Sequence, residues 1–319
     1  GKKVTIGAMT KGSGMIHPNM CTMLCYITTD AAISSEMLKK ALSESVKDTY
    51  NMISVDGDTS TNDTCFIMAN GLAGNEEITE ENEDYYVFLD AINTINTNLA
   101  KKMAADGEGA THLFEVKVNG ASTKEEAVTL SKSVVRSPLC KSAIFGKDAN
   151  CGRFMCALGY SGVDFDPSNV DIYFESKAGS VLVVDKGMAP EFDEELALKI
   201  LSEDEVSVRC EMNMGDKSAT AWGCDLTYDY VKINADYRKK KKGESIMGVM
   251  ESYEYYSACP QCGAANIGHE KCDYCGASLI KKRVNTKLSN YDEFESEDDR
   301  NLREDIDYPV INAKLFGNN

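Results

Sequence analysis

Hydrophobic and polar positions along this chain switch repeatedly between a period of two and a period near 3.6. Met23–Thr28 is a short β-prone run following Pro18 and Asn19. Met37, Leu38, Ala41, Leu42, Val46 and Tyr50 then recur at helical spacing, with Ser34 and Ser35 placed to cap the helix start. Thr64–Ala69 reads as a buried strand behind the turn-rich stretch from Asp56 to Asp63. A long helical pattern spans Glu83 to Ala105 and is stopped by Gly107 and Gly109. His112–Val118 alternates as a strand, and Lys124–Val135 is amphipathic at helical spacing. Strands at Val170–Glu175 and Ser180–Val184, a helix at Glu194–Leu201 and a β pair at Val206–Met212 and Ala219–Thr227 complete the pattern. Helices between strand groups predict an α/β (α+β) fold of layered sheets and helices.

Composition narrows the function classes. The 319 residues are 43% hydrophobic and 27% charged, enough for a sizeable core. The net charge of −17 disfavours nucleic acid and anionic membrane surfaces as main partners. No apolar run is long enough for a membrane-spanning helix, and the first residues lack the apolar core of a secretory signal. The chain starts at Gly1 rather than Met, so a fragment or processed product is expected. Twelve Cys without a signal segment predict a reducing, cytoplasmic setting, with thiols either buried and inert or bound to metal. Charge is unevenly spread. Residues 291–307 carry nine acidic side chains, predicting a solvated tail, and the basic run Arg238–Lys242 reads as a linker.

Two cysteine pairs carry distinct chemistry. Cys259-Pro260-Gln261-Cys262 and Cys272-Asp273-Tyr274-Cys275 are C-x₂-C knuckles, each followed by a glycine (Gly263, Gly276). Four thiolates at this spacing close a tetrahedral shell around structural Zn²⁺. An iron–sulfur or redox pair is the alternative. The predicted organisation is residues 1–21 as the end of an upstream segment, 22–238 as the main domain, 239–251 as linker, 252–282 as a zinc ribbon, and 283–319 as an acidic, disordered tail.

The N-terminal segment bears on catalysis. Lys11-Gly12-Ser13-Gly14 does not fit a phosphate-cradling loop, and a Thr opening an apolar strand is ordinarily only a β-former. A Thr hydroxyl can, however, attack the preceding carbonyl and cut the chain. The new terminus then holds an α-amine, with a pKa near ~7.7–8.0, beside its own hydroxyl as general base. Such chemistry suits a chain with only three His.

Here the residues resemble a known family. The run Lys11-Gly12-Ser13-Gly14-Met15-Ile16-His17-Pro18-Asn19-Met20-Cys21-Thr22-Met23-Leu24 is similar to the self-processing segment of the ornithine acetyltransferases, the bifunctional glutamate N-acetyltransferase or ArgJ family of arginine biosynthesis. The resemblance continues through Asp56–Asp63, Asp106–Thr111, Ser137-Pro138-Leu139, Gly146–Arg153 and Ile233–Tyr237, covering residues 3–238.

That resemblance implies a DmpA/ArgJ-like fold and self-cleavage between Cys21 and Thr22. Thr22 would take acetyl from N-acetylornithine and pass it to glutamate by a ping-pong route, without a cofactor. Lys11, Glu108 and Asn234 would bind substrate together with Thr22. Read without the family, they are a solvated loop lysine, a helix-end carboxylate and a turn former. The family's upstream α chain, with its Thr-Gly oxyanion hole, is missing here, and losing even one such donor costs ~10²–10³ in rate. The implied assembly is a heterotetramer of two α and two β chains. Arg238 and Lys239 stand where the family has a substrate-contacting Ser or Thr, and Asp148–Arg153 lacks the family's Pro and Trp. The alternative is a catalytically incomplete body serving as a zinc-ribbon interaction protein. An aminopeptidase of similar chemistry fits the contexts of Lys11, Glu108 and Asn234 less well.

Overall fold

The computed structural model describes residues 2–18, 23–60 and 62–236, and the backbone of 248–255, 280–288 and 310–315. Two six-stranded sheets and their helices form a layered mixed α/β fold. The first sheet contains β1 (Lys2–Lys11), β2 (Leu24–Thr29), β4 (Thr64–Ala69), β10 (Gly248–Tyr255), β11 (Ile280–Leu288) and β12 (Val310–Leu315), in the order β11-β10-β12-β1-β2-β4. The second runs β3-β9-β5-β8-β6-β7, from β3 (Ile53–Ser54), β5 (Leu113–Ala121), β6 (Asp171–Ser176), β7 (Gly179–Val184), β8 (Glu205–Glu211) and β9 (Lys217–Cys224).

Helices form where side chains cap their free N–H groups. Ser34 caps α1 (Ser35–Asp48), Asn82 caps α2 (Glu83–Ala105), and Thr123 with Glu126 forms a capping box on α3 (Lys124–Val135). Ser137, Asp193 and Thr227 do the same for α4 (Pro138–Phe145), α6 (Glu194–Leu201) and α7 (Tyr228–Ala235). Each such cap stabilises by about 1 kcal/mol. The helix α5 (Cys151–Gly159) has no side-chain cap bond and is held by packing. Its Phe154 meets Phe114 of β5 and Phe174 of β6 edge-on, at centroid distances of 6.3 and 5.0 Å.

The core lies on both sides of α2, which packs on β1 of the first sheet and on β5 and β9 of the second. Val4, Ile6, Ala8, Cys25 and Ile27 project from the first sheet, while Phe88, Ile92, Ile95 and Leu99 of α2 are buried. The helix therefore fixes the two sheets to one another, and the loop after its C-terminus falls between them.

The helices at 83–105, 124–135 and 194–201 and the strand at 64–69 have the expected bounds. Other features differ. Thr64–Ala69 is an edge strand among the described residues rather than a buried one, with Phe66 and Met68 about half exposed. The β pair ends at Cys224, and Thr227 becomes a helix cap. β1, α4, α5 and α7 were not expected. The outward positions of β1 include Gly7 and Met9, so its alternation shows little polar contrast, and α7 buries no residue. Strands also occupy parts of the stretches read as linker, ribbon and tail: β12 pairs with β1 from Lys2↔Leu315 to Gly7↔Val310, so 310–315 is built into the sheet instead of standing free. Among the thiols taken as buried, Cys25, Cys140, Cys210 and Cys224 are so, Cys65 and Cys151 are half-buried, and Cys156 is exposed.

Candidate active site

β1 ends at Lys11, paired with Leu24 of β2. The chain then turns through Gly12–Ile16, and one carboxylate holds that loop. Asp56 accepts the N–H of Met15 at 2.6 Å and of Ile16 at 3.0 Å, while the N–H of Val55 donates to the Ile16 carbonyl at 2.7 Å. Met15 is consequently held at φ 53°, a conformation unusual for a residue with a side chain. The Tyr230 hydroxyl donates to the same Asp56 at 3.4 Å, and its own pKa is pushed up to about 12 by burial and then by the Asp56 charge.

Glu108 faces this loop from the other side. Its N–H donates to the Ser13 carbonyl at 2.8 Å, and its carboxylate lies against Gly14 so closely that an added Cβ there would sit 2.6 Å from Cδ. Asn234 of α7 donates from Nδ2 to Glu108 Oε2 at 3.0 Å. The Glu108 loop is itself clamped. Asp225 accepts from the backbone N–H groups of Thr111 (2.8 Å) and His112 (3.2 Å), from the Thr111 hydroxyl, and bonds His112 Nδ1 at 2.9 Å. Burial alone would raise the Asp225 pKa, but these bonds lower it. Thr227 Oγ1 donates to the Gly109 carbonyl at 2.7 Å. Gly109, at φ +69°, admits the Tyr230 N–H where a Cβ would meet it at 2.7 Å. The run Asp106–Thr111 is thus a device for presenting one carboxylate.

The structure therefore joins Glu108 and Asn234 directly and places Glu108 against the loop that follows Lys11. Asn234 is exposed and Glu108 half-buried, so the cluster is open to solvent on one side. Cys21 and Thr22 lie outside the described residues, as do Cys259, Cys262, Cys272 and Cys275. Among the described residues no cluster with metal-binding geometry occurs, and no helix is long and apolar enough to cross a membrane. Sequence reasoning assigned no role to Asp56, Asp225 or Thr227. The available signal was their polar character within or beside matched segments, which does not reveal what they hold. A cavity of about 450 Å³ lies elsewhere, lined in part by Lys101, Glu115, Glu175, Lys177 and Ser207, and none of the site residues lines it. Lys101 and Lys117 pair there with Glu115, holding it down at about 2 against the effect of burial.

His17 borders the same loop, with Nδ1 3.1 Å from Ser54 Oγ. Burial, and then the Lys132 and Arg136 charges, lower its pKa from 6.5 to about 4, so it is neutral at pH 7. A depressed folded value means that its contribution to stability is complete above pH 6.5 and is lost as pH falls toward 4. Unfolding by denaturant at pH 7 and pH 4 is expected to show that His17→Gln removes about 1 kcal/mol of the acid-dependent loss, since solvent screens a partly exposed ring. Equal pH slopes for the two proteins would contradict this.

The loop, carboxylate and amide all lie within the span of a family match. The profile of the ArgJ family matches residues 1–239. This chain belongs to the ArgJ family. Among its relatives are the arginine biosynthesis bifunctional protein ArgJ 1 of Clostridium acetobutylicum, 57% identical over 237 residues, and the ArgJ of Thermotoga neapolitana, 52% identical over 238. These alignments cover 74% and 75% of this chain but 58% and 60% of the relatives, so the chain spans about three fifths of their length. A crystal structure of the arginine biosynthesis bifunctional protein ArgJ from Bacillus halodurans superposes with a TM-score of 0.62 at 44% identity. It covers 66% of this chain and 97% of the crystal chain, in keeping with the layered α/β fold of the family.

Proposed function

We propose that residues 22–238 are the nucleophile-bearing domain of a glutamate N-acetyltransferase of arginine biosynthesis, acting with a polypeptide that supplies the remaining two fifths of the relatives' length. The observation that carries the reading is the Glu108–Asn234 hydrogen bond closing on the Gly12–Ile16 loop, since it gathers residues far apart in sequence beside the run that ends in Thr22. Thr22 is the nucleophile, freed by cleavage after Cys21. It takes acetyl from N-acetylornithine and returns it to glutamate. Glu108 suits the cationic end of ornithine, Asn234 fixes Glu108 and offers an amide to substrate, and Lys11 suits a substrate carboxylate. No cofactor enters this chemistry.

The open rim of the site and one sheet face support the need for a second polypeptide. Met9, Tyr26 and Phe66 lie in register across β1, β2 and β4, beside Thr28 and Met68. Tyr26, Phe66 and Met68 are 44–49% exposed, an apolar stripe on an edge of the described sheet. Tyr228 and Val231 of α7 are more exposed still. The polypeptide supplying the missing length covers this face in the assembled enzyme, a heterotetramer of two α and two β chains in the cytoplasm.

The deciding experiment produces this chain together with the unmatched portion of one of the relatives. Intact mass is expected to show separation of residues 1–21 from 22–319, and the pair is expected to transfer acetyl from N-acetylornithine to glutamate. A cut chain that associates but transfers nothing would favour the adaptor reading. Cys259, Cys262, Cys272 and Cys275 are proposed to hold one structural Zn²⁺, because two C-x₂-C knuckles supply four thiolates. Metal analysis should find one zinc per chain, lost in Cys262→Ser; no zinc in the unsubstituted protein would remove the ribbon.

A further inference from the structure

The cavity of about 450 Å³ shares no residue with the Glu108 cluster, and its lining divides into two poles of opposite charge. Register sets Glu115 of β5, Ser207 of β8 and Glu175 of β6 side by side in one polar row of that lining. Glu115 organises the first pole. It accepts the Trp222 indole N–H at 2.6 Å and pairs with Lys101 of α2 at 3.0 Å and with Lys117 at 2.7 Å. One carboxylate thus serves two ammonium groups. A positive charge is left over, and each lysine keeps N–H groups without an acceptor among the described residues. The second pole lies where β8 begins. Lys177 pairs with Glu203 at 2.6 Å, while Asp204 and Glu205, whose charges also act on Lys177, form no ion pair among the described residues. Glu205 is two residues along β8 from Ser207, the partner of Glu115 on the neighbouring strand, which separates the poles by about 8 Å. Between them, Ser207 Oγ is buried without a hydrogen-bond partner among the described residues, and a hydroxyl can turn about a single bond.

These poles select a ligand. A simple anion would answer the two lysines but meet an excess of carboxylates, and a simple cation would leave the two lysines unanswered. A carboxylate and a terminal cation stand roughly 7–8 Å apart in an extended amino acid whose side chain has four or five atoms before its charge. Such a molecule spans both poles. Its net positive charge also agrees with a lining in which carboxylates outnumber lysines. We propose that this cavity binds a free basic amino acid, its carboxylate on Lys101 and Lys117, its side-chain ammonium or guanidinium on Asp204 and Glu205, and its α-amino group against Ser207 and Glu175. No covalent step is involved, and nothing in the proposal depends on the chemistry assigned to Thr22.

Calorimetric titration of the full chain with L-lysine and with L-arginine, at low ionic strength, tests this. The titrations use a Glu108→Gln background, because the Glu108 carboxylate is itself proposed to hold an ammonium elsewhere. Saturable binding of at least one of the two amino acids, one molecule per chain, is expected. Lys117→Met and Glu205→Gln, introduced separately, should each weaken it about tenfold, the worth of a charge-assisted hydrogen bond. Both side chains are exposed, so the variants should fold, and Lys117→Arg should retain binding by keeping the charge. Agmatine, which lacks the carboxylate, and butyrate, which lacks the cation, should bind at least about tenfold more weakly than L-arginine. No saturable binding of either amino acid would overturn the proposal. So would an affinity unchanged in both Lys117→Met and Glu205→Gln, or agmatine binding as tightly as L-arginine.

Discussion

Thr22→Ala is expected to leave the bond after Cys21 uncut and to reduce acetyl transfer to background, a loss on the order of 10⁶-fold. In the proposed mechanism, two separate reactions draw on the same hydroxyl. In the first, Oγ attacks the Cys21 carbonyl, the acyl group shifts from nitrogen to oxygen, and water hydrolyses the ester. In the second, the hydroxyl carries acetyl between two amines. Alanine removes both, and it also leaves the Thr22 nitrogen as an amide with no lone pair for base work. Thr22→Ser retains the hydroxyl and should restore cleavage and part of the transfer, which separates chemistry from a folding effect. The readouts are intact mass of the chain and the mass of an acetylated residue 22 trapped with N-acetylornithine in the absence of glutamate. A Thr22→Ala chain that is cut all the same, or acetylated at that position, excludes Thr22 from the mechanism.

The second large effect concerns Glu108. Glu108→Gln keeps the shape of the side chain and an acceptor for Asn234 Nδ2, but removes the charge. Loss of the charged partner of a bound ammonium typically costs 2–5 kcal/mol, so kcat/KM for N-acetylornithine should fall by about 10²-fold or more. The side-chain ammonium of ornithine is remote from the bond that breaks, and its binding is similar in ground and transition states. The loss should therefore fall mainly on KM. Gly14→Ala provides a second route to the same result without deleting any charge. Its Cβ would lie 2.6 to 2.9 Å from the Glu108 carboxyl atoms, so the carboxylate must move away from Asn234. Steady-state kinetics with N-acetylornithine, at fixed glutamate, measure both. A normal KM in both variants removes Glu108 from substrate binding.

Much of the secondary structure was legible because it was written in short-range periodicity. The helix at 83–105 has a run of buried positions on one side, an Asn cap before it and glycines after it. The elements that escaped notice have weak local contrast. α7 buries nothing and is held through Thr227, Tyr230 and Asn234. Lys11, Glu108 and Asn234 were singled out through family resemblance. By composition and spacing alone each looked like an ordinary surface residue, because a single polar side chain carries no periodic signal.

Asp56 and Asp63 mark the limit most clearly. Both lie in the segment Asp56–Asp63, which reads from sequence as a turn. In the fold one carboxylate holds the Met15–Ile16 loop and the other holds Met23, on the two sides of the segment that contains Thr22. The sequence by itself determined many of the helices and strands and the family, since each is encoded by neighbours within a few residues or by ordered motifs. Only the tertiary structure decided that Asp56 holds the Met15–Ile16 loop, that Asp63 holds Met23 and that Glu108 meets Asn234. Those contacts and the Tyr230–Asp56 bond join partners up to 174 positions apart, brought together by the packing of α2 between the two sheets.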